Sequence, residues 1–233
     1  MIVDSPFTVN VAKIGRPNSL YDQLVNGLES SPYNQSDGFG FTVETIEQDY
    51  VSAYLVISNP VVVRQFEQES GEIVEREVNQ EKLIPFTVDF DTGLLEIFSS
   101  QSDTSQVITR ISEIIEWSNP ITETGIGVSS LYSSLREGTV DMEIQSMHIS
   151  DFEYDDVRGN YHLKSFDESE AENLLSEYAG NISFLCISVK NYNETATFGF
   201  YRSGSIRLYS DTNQDDQFWN NIKYAVSENL GDI

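Results

Sequence analysis

The sequence predicts an α+β protein in which mostly antiparallel sheets are backed by amphipathic helices. Several segments alternate apolar and polar residues with a period of two, and several others repeat apolar residues at helical spacing. Hydrophobic residues make up 39% of the chain and aromatic residues 12%, a composition richer in aromatics than that of disordered proteins. A chain of 233 residues buries roughly 70% of its unfolded surface on folding, so it needs no disulfides.

Residues 85–98 give the clearest hairpin signal. Phe86, Val88 and Phe90 alternate with polar residues, and the sequence Asp91-Thr92-Gly93 is typical of a turn. By the same reasoning we predict further strands near residues 7–14, 39–46, 51–58, 142–149, 161–166, 182–189, 195–201 and 205–209. Apolar residues at helical spacing predict helices within residues 20–28, 107–115, 129–136, 167–178 and 218–230.

The two halves of the chain share a pattern, and we divide it into an N-terminal β-rich half, residues 1–118, and a C-terminal α+β half, residues 119–233. Residues 53–58 resemble residues 183–188, and residues 93–99 resemble residues 204–210. One interpretation is a duplicated strand–hairpin–helix unit. The other is that amphipathic hairpins and helices resemble one another without common origin.

Residues 61–82 predict a long hairpin that turns at Ser70-Gly71. Its flanks are charged and its apolar content is low, so it cannot bury much of itself. We therefore expect it to project as an arm that contacts a partner protein. The residues expected to make that contact are its apolar ones, Val63, Phe66, Ile73 and Val74.

The charge balance predicts that the protein works in a concentrated salt solution. The chain has 38 acidic and 13 basic residues, a formal net charge of −25, and lysine at only five positions. Repulsion among dispersed carboxylates destabilises a compact chain, and molar salt, with a Debye length of about 3 Å, removes most of it. This pattern favours the salt-rich cytoplasm of a halophilic archaeon. The alternative is an acidic protein from an ordinary cytoplasm.

The same charges argue against direct nucleic-acid binding, because phosphate contacts need clustered Lys and Arg, and here the arginines are scattered singly. The N-terminus does not resemble a signal peptide, and no apolar run approaches a membrane span, so we expect a cytoplasmic protein without a membrane partner. The single cysteine, Cys186, lies in an apolar run and is expected to be a buried thiol. No glycine-rich phosphate loop or Gly-x-Ser-x-Gly nucleophile motif is present.

The two histidines mark the best candidate for a metal site. If residues 148–162 form a hairpin that turns near Arg158-Gly159-Asn160, His148 and His162 approach each other, and Asp151, Asp155 or Asp156 could complete a site for a divalent ion. The simpler interpretation is a polar hairpin with solvated acids and no cofactor.

Two other groups of residues each have a functional and a structural interpretation. Asp89 and Asp91, with Asp49, could form a carboxylate site, although Asp91 is also a typical turn residue. Tyr201 and Tyr209 could stack nucleic-acid bases, or simply pack on the sheet.

From these patterns we expect a non-catalytic interaction module, a subunit of a larger cytoplasmic assembly, in the setting of a nucleic-acid-related or antiviral defence system. One alternative is a metal-dependent hydrolase or nuclease accessory that uses the histidine segment. Another is a nucleic-acid-associated regulator that works at high salt through the face of its sheet.

Overall fold

The protein is α+β, as the sequence predicts. The computed structural model describes residues 7–15, 19–138, 141–154, 157–164, 167–191, 194–209 and 217–231. The strands are β1 (Phe7–Ile14), β2 (Phe39–Ile46), β3 (Tyr50–Glu67), β4 (Glu72–Asp89), β5 (Leu94–Ile97), β6 (Ile121–Glu123), β7 (Gly125–Ile126), β8 (Asp141–Tyr154), β9 (Val157–Lys164), β10 (Ile182–Asn191), β11 (Glu194–Tyr201), β12 (Ser205–Leu208) and β13 (Leu230–Gly231). The helices are α1 (Tyr21–Ser30), α2 (Gln101–Ile114), α3 (Val128–Gly138), α4 (Glu168–Glu177) and α5 (Gln217–Glu228).

One antiparallel sheet of 11 strands runs through both halves of the described chain. Its order is β2-β3-β4-β5-β1-β12-β11-β10-β8-β9, and β6 also pairs with β1. The N-terminal strand β1 is the junction. It pairs with β5 along one edge through residues 10–13, and with β12 and β6 along the other edge through residues 7–10 and 12–14.

The two halves bury opposite faces of this sheet. Successive side chains of a strand point to opposite faces, and β1 shows the division directly. Its residues Val9 and Val11 pack in the core under α3, α4 and α5, whereas Ala12 and Ile14 pack in the core under α1 and α2. In each half, helices therefore cover one face of the sheet. The strand side chains that alternate with those buried under the helices point to the opposite face.

The segments that resemble one another in sequence take corresponding places in the sheet. Residues 53–58 lie in β3 and residues 183–188 in β10, each followed by a second and a third antiparallel strand and then by a helix. The third strands, β5 and β12, follow glycines with positive φ, Gly93 (70°) and Gly204 (87°), and both pair with β1. The element order is thus repeated around β1.

The helix boundaries follow from side-chain spacing and capping. In α1, Leu24 and Leu28 are buried on one face, as their four-residue spacing predicts. The Asp167 carboxylate accepts a hydrogen bond from the Ser169 N–H and caps α4. Helix α2 begins at Gln101, six residues before the predicted start at Val107, with Ser100 as its N-cap residue. No helix among these residues has the length and apolarity to cross a membrane.

The main departure from the sequence prediction concerns residues 51–82. We expected a short strand at 51–58 and a separate hairpin at 61–82. Instead β3 and β4 are each 18 residues long and run without a break from the sheet into the projection. Pro60 does not end β3, because it lies beyond the end of β2 where β3 has only β4 as a neighbour, and proline is tolerated at such edge positions.

Candidate functional site

The first candidate site is the ribbon, which we define as residues 59–82. Strands β3 and β4 pair in register from Tyr50 opposite Asp89 to Glu67 opposite Glu72. Pairing with β2 ends at Ile57 and pairing with β5 at Phe86. Beyond those points the two strands pair only with each other among the described residues. The ribbon is about 30 Å long at roughly 3.3 Å per residue, and both of its edges are open.

The structure places the four predicted contact residues in the ribbon but divides them between its faces. Phe66 and Ile73 lie directly opposite each other near the tip, with 61% and 71% of their surfaces exposed. Val63 and Val74 point to the other face, because their positions differ in parity from those of Phe66 and Ile73. Sequence reasoning missed Val62, which shares the face of Phe66 and is 64% exposed.

Ion pairs hold the ribbon at its base, where it leaves the sheet, and along its shaft, where its two strands pair with each other. At the base, Lys82 pairs with the buried carboxylate of Asp103 at the start of α2. Burial alone would raise the pKa of Asp103, but hydrogen bonds from Lys82, Ser99 and Ser100 hold it below its usual value. Along the shaft Arg64 pairs with Glu75, 2.9 Å apart, an exposed contact that contributes at most about 1 kcal/mol. The ribbon is thus anchored at one end and free at the other.

The second candidate site contains the two histidines. His148 of β8 lies directly opposite His162 of β9, and their ring centroids are 4.1 Å apart. Burial lowers the pKa of His148, and the neighbouring His162 and Lys164 lower it further. The histidines therefore meet across the paired strands β8 and β9, as predicted, but the turn predicted near Arg158-Gly159-Asn160 is wrong, because Arg158 pairs with Glu153 and Gly159 pairs with Phe152 within these strands.

The proposed metal ligands beside the histidines are only partly described. Asp151 lies within an irregularity in the pairing of β8 and has a φ of 54°, and its carboxylate lies 3.5 Å from Nε of Arg158. Asp155 lies outside the described residues. Within the described residues no three His, Cys, Asp or Glu side chains form a group that could hold a metal ion. The four-residue metal site stays a prediction.

Aromatic side chains continue from the histidines across the same face of the sheet. The Phe184 ring lies 4.9 Å from His148 and 4.6 Å from Tyr201. Gly199 leaves room for these rings, since a Cβ atom there would lie 2.8 Å from Phe184 and 3.1 Å from Tyr209. We call this surface the aromatic face; its remaining members are Tyr209 and the cations Lys164, Lys190 and Arg207.

The third candidate site, the carboxylate cleft, lies between α5 and the face of the first half that α1 and α2 do not cover. Its volume is about 520 Å³. Strands β3, β4 and β5 form its floor, α5 forms a wall, and the turns at 47–49 and 91 form its rim. The lining side chains are Thr45, Glu47, Asp49, Tyr50, Ser52, Thr87, Asp89, Asp91, Glu96, Phe98, Trp219, Asn220, Lys223 and Tyr224.

The structure brings Asp49, Asp89 and Asp91 to this cleft, as the interpretation of these residues as a carboxylate site requires. The turn interpretation also holds in part, because the Asp89 carboxylate accepts hydrogen bonds from the N–H groups of Asp91 and Thr92. Sequence reasoning missed the two innermost charges, Glu96 and Lys223. The sequence signal that could have revealed Glu96 was a glutamate within the otherwise apolar strand Leu94–Ile97.

Lys223 forms ion pairs with both carboxyl groups of the inner cleft. Its Nζ atom lies 2.8 Å from Asp89 Oδ2 and 3.6 Å from Glu96 Oε1. Burial would raise the pKa of Asp89, but the hydrogen bond and charge of Lys223 outweigh it and the pKa is lowered. Glu96 is more deeply buried, with 2% of its surface exposed, and its burial raises its pKa to about 7 despite Lys223. Two neighbouring carboxyl groups thus differ in proton affinity.

The three surfaces offer different chemistry: open strand edges with exposed apolar side chains, a sheet face with aromatic rings in contact, and a polar cleft with buried charges. Neither a known protein-family model nor a curated protein sequence matches the chain.

Proposed function

We propose that the protein is a non-catalytic interaction module that binds a partner protein through the ribbon, as a subunit of a larger assembly. The observation that carries this proposal is the exposed pair Phe66 and Ile73 at the tip of a strand pair whose edges are both open. Open edges accept a further strand by main-chain hydrogen bonding, and apolar side chains beside them give such pairing its specificity.

The charges of the ribbon define the partner's chemistry. The ribbon carries six glutamates against Arg64, Arg76 and Lys82. Among the described residues Glu69, Glu72 and Glu77 make no ion pair, so the acidic excess faces solvent. The partner we propose is a basic protein surface with an edge strand and an apolar pocket for Phe66 and Ile73. Charge attraction steers the encounter, and the buried side chains hold the complex together.

The test begins with a photo-cross-linking amino acid in place of Phe66, with the same substitution at Trp117 as the matched control. Trp117 is an aromatic residue of similar exposure, 66%, that lies far from the ribbon in sequence. We expect a protein from the native host to cross-link at 66 and not at 117, and mass spectrometry then identifies it and the strand it presents. The complex is remade from the two purified proteins.

Binding of that protein is then measured for two ribbon variants. The first is the double substitution Phe66→Ser and Ile73→Ser, and the second replaces residues 61–78 by an Asn-Gly turn. Burying each apolar side chain contributes about 1.5–3 kcal/mol, so the double substitution should weaken binding roughly 100-fold or more. The shortened ribbon should abolish binding and leave the fold intact. Unchanged affinity in both variants contradicts the proposal, and so does a cross-link only to a second copy of the chain.

The aromatic face favours a second candidate function, the binding of a single-stranded nucleic acid. Tyr201 and Tyr209 lie on this face with Phe184, and Arg207 lies over the Tyr209 ring at 5.1 Å. Base stacking on aromatic side chains contributes about 1–3 kcal/mol per base and depends less on salt than phosphate contacts do. Acids elsewhere on the surface oppose this binding, and high salt screens them.

Fluorescence anisotropy with a labelled single-stranded oligonucleotide tests this second function. We expect binding that persists at about 1 M KCl, where the Debye length is about 3 Å, and that weakens roughly tenfold or more in Tyr201→Ser. Tyr33→Ser is the control, because Tyr33 lies outside the aromatic face. Equal binding by both variants, or none by the wild type, rules this function out.

A further inference from the structure

The carboxylate cleft has the geometry of a ligand site. It is concave, has a volume of about 520 Å³, and is bounded by a rigid sheet on one side and a helix on the other. That volume is many times the roughly 30 Å³ that one water molecule occupies in the liquid, and it lies in the range of small-molecule sites. No residue of the ribbon lines it.

The charges of the cleft select a cation. Five carboxyl groups line it, those of Glu47, Asp49, Asp89, Asp91 and Glu96. Among the described residues that line the cleft, Lys223 is the only lysine or arginine, and it is already paired with Asp89. A cleft lined by one sign of charge focuses the field and concentrates ions of the opposite sign.

An independent observation comes from the floor of the cleft. The Glu96 carboxyl group is hydrogen-bonded by Trp219 and ion-paired with Lys223, but its Oε1 atom, 3.6 Å from the Lys223 ammonium, is buried and lies beyond hydrogen-bond distance of any donor among the described residues. Buried carboxyl oxygens without a donor are rare in folded proteins because the loss of hydration is not compensated. A ligand with N–H donors that reaches the floor of the cleft would supply the missing hydrogen bond.

The lining favours an organic cation over a bare metal ion. No three carboxylate or imidazole side chains among the described residues converge as metal ligands. The walls instead contain the aromatic rings of Tyr50 and of Tyr224, which is 54% exposed, and such rings attract ammonium and guanidinium groups by cation–π interaction.

We propose that the cleft binds an alkylammonium or guanidinium group, whose N–H donors reach Glu96 Oε1 while its charge lies among the rim carboxylates. The group belongs either to a free polyamine or to a lysine or arginine side chain of a peptide. In both cases the bound cation favours the ionised form of Glu96. Binding therefore releases a proton, and affinity rises as the pH is raised towards and above neutrality. The other charged groups around Glu96 are Asp89 on β4 and Lys223 on α5, with Glu47, Asp49 and Asp91 at the rim.

Isothermal titration calorimetry tests the proposal with three probes: spermidine, a short peptide containing lysine and arginine, and magnesium chloride alone. Wild type is compared with Glu96→Gln and with Glu29→Gln, which removes the same charge from the exposed surface of α1. We expect binding that Glu96→Gln weakens about tenfold or more and Glu29→Gln leaves unchanged. Repeating the titration in two buffers of different ionisation enthalpy measures the proton released.

Each outcome decides the proposal. Glu96-dependent binding of spermidine identifies a free amine as the ligand, and such binding of the peptide alone identifies a basic side chain. Binding of magnesium alone, binding that Glu96→Gln does not weaken, or no binding of any probe overturns the proposal. If Glu96→Gln does not fold, Asp49→Asn at the exposed rim takes its place, with an expected loss of a few-fold. These results do not depend on whether the ribbon binds a protein.

Discussion

Replacing Glu96 by glutamine should remove a large part of the pH dependence of the protein's stability. Burial raises the pKa of Glu96 from 4.5 to about 7, with the opposing charge of Lys223 already acting on it. Between these two values the folded protein holds a proton on Glu96 that the unfolded chain has released. Stability from this group is therefore fully present below pH 4.5 and is lost as the pH rises through 7.

The size of the effect follows from the two pKa values. Their difference is about 2.5, and each unit corresponds to about 1.36 kcal/mol, so the wild type loses on the order of 3 kcal/mol across this window. Glutamine resembles the protonated carboxyl group and does not titrate. We therefore expect Glu96→Gln to match the wild type below pH 4.5 and to exceed its free energy of unfolding by on the order of 3 kcal/mol near pH 8.

Urea denaturation at a series of pH values, at constant high KCl, measures this difference. All other titrating groups are common to both proteins, so they cancel when the two free energies of unfolding are subtracted. Asp89 does not interfere, because its pKa is lowered and its ion pair is lost only at more acidic pH. Glu29→Gln serves as the control and should show no such trend. A wild-type-minus-variant difference that is constant with pH would refute the reasoning.

Three further predictions concern stability. Gly204→Ala should cost more than about 2 kcal/mol in a urea titration, because its φ is 87° and a Cβ atom would lie 2.1 Å from the Thr124 carbonyl oxygen; Gly71→Ala, with a φ of 70° but open space around it, should cost only about 1 kcal/mol. Leu24→Ala should cost about 2–5 kcal/mol in the same assay because Leu24 is fully buried, and a loss near zero would contradict the packing described for α1. The melting temperature should rise with KCl as the net charge of −25 is screened, by roughly 2–4 °C for each kcal/mol gained, and a flat profile would contradict the salt-rich-cytoplasm prediction.

The helices and strands could be predicted from hydrophobic periodicity, because the apolar residues of an amphipathic segment lie on the face that is buried. The residues that alternate in the first hairpin, Phe86, Val88 and Phe90, and the helix residues Leu24 and Leu28 all lie in the core under α1 and α2. The position of β1 between the halves was not predictable in this way. Nothing local in residues 7–14 specifies that β5 and β12 pair with its two edges, since pairing partners distant in sequence leave no periodic signal.

The candidate sites also differ in whether a local sequence pattern could predict them. The ribbon could be predicted because exposed apolar residues among charges are a local pattern. The histidine pair could be predicted because hairpin register is local. The inner cleft could not, since Lys223 approaches Asp89 and Glu96 only after α5 packs across the sheet. A glutamate within an apolar strand was the visible signal, but it does not reveal which helix will cover it.

The central place of β1 has a consequence for how the chain is made. Phe7, Val9 and Val11 are synthesised before β10–β12 and α5, yet they pack in the same core as these later elements. While the protein is being synthesised, the first half can fold around β5 with one edge of β1 unpaired and these apolar side chains exposed to water. A nascent chain in this state is prone to aggregation until residues 205–208 emerge and pair with β1. Pairing of β1 with β12, and not the folding of the first half, is therefore the step that covers this strand edge.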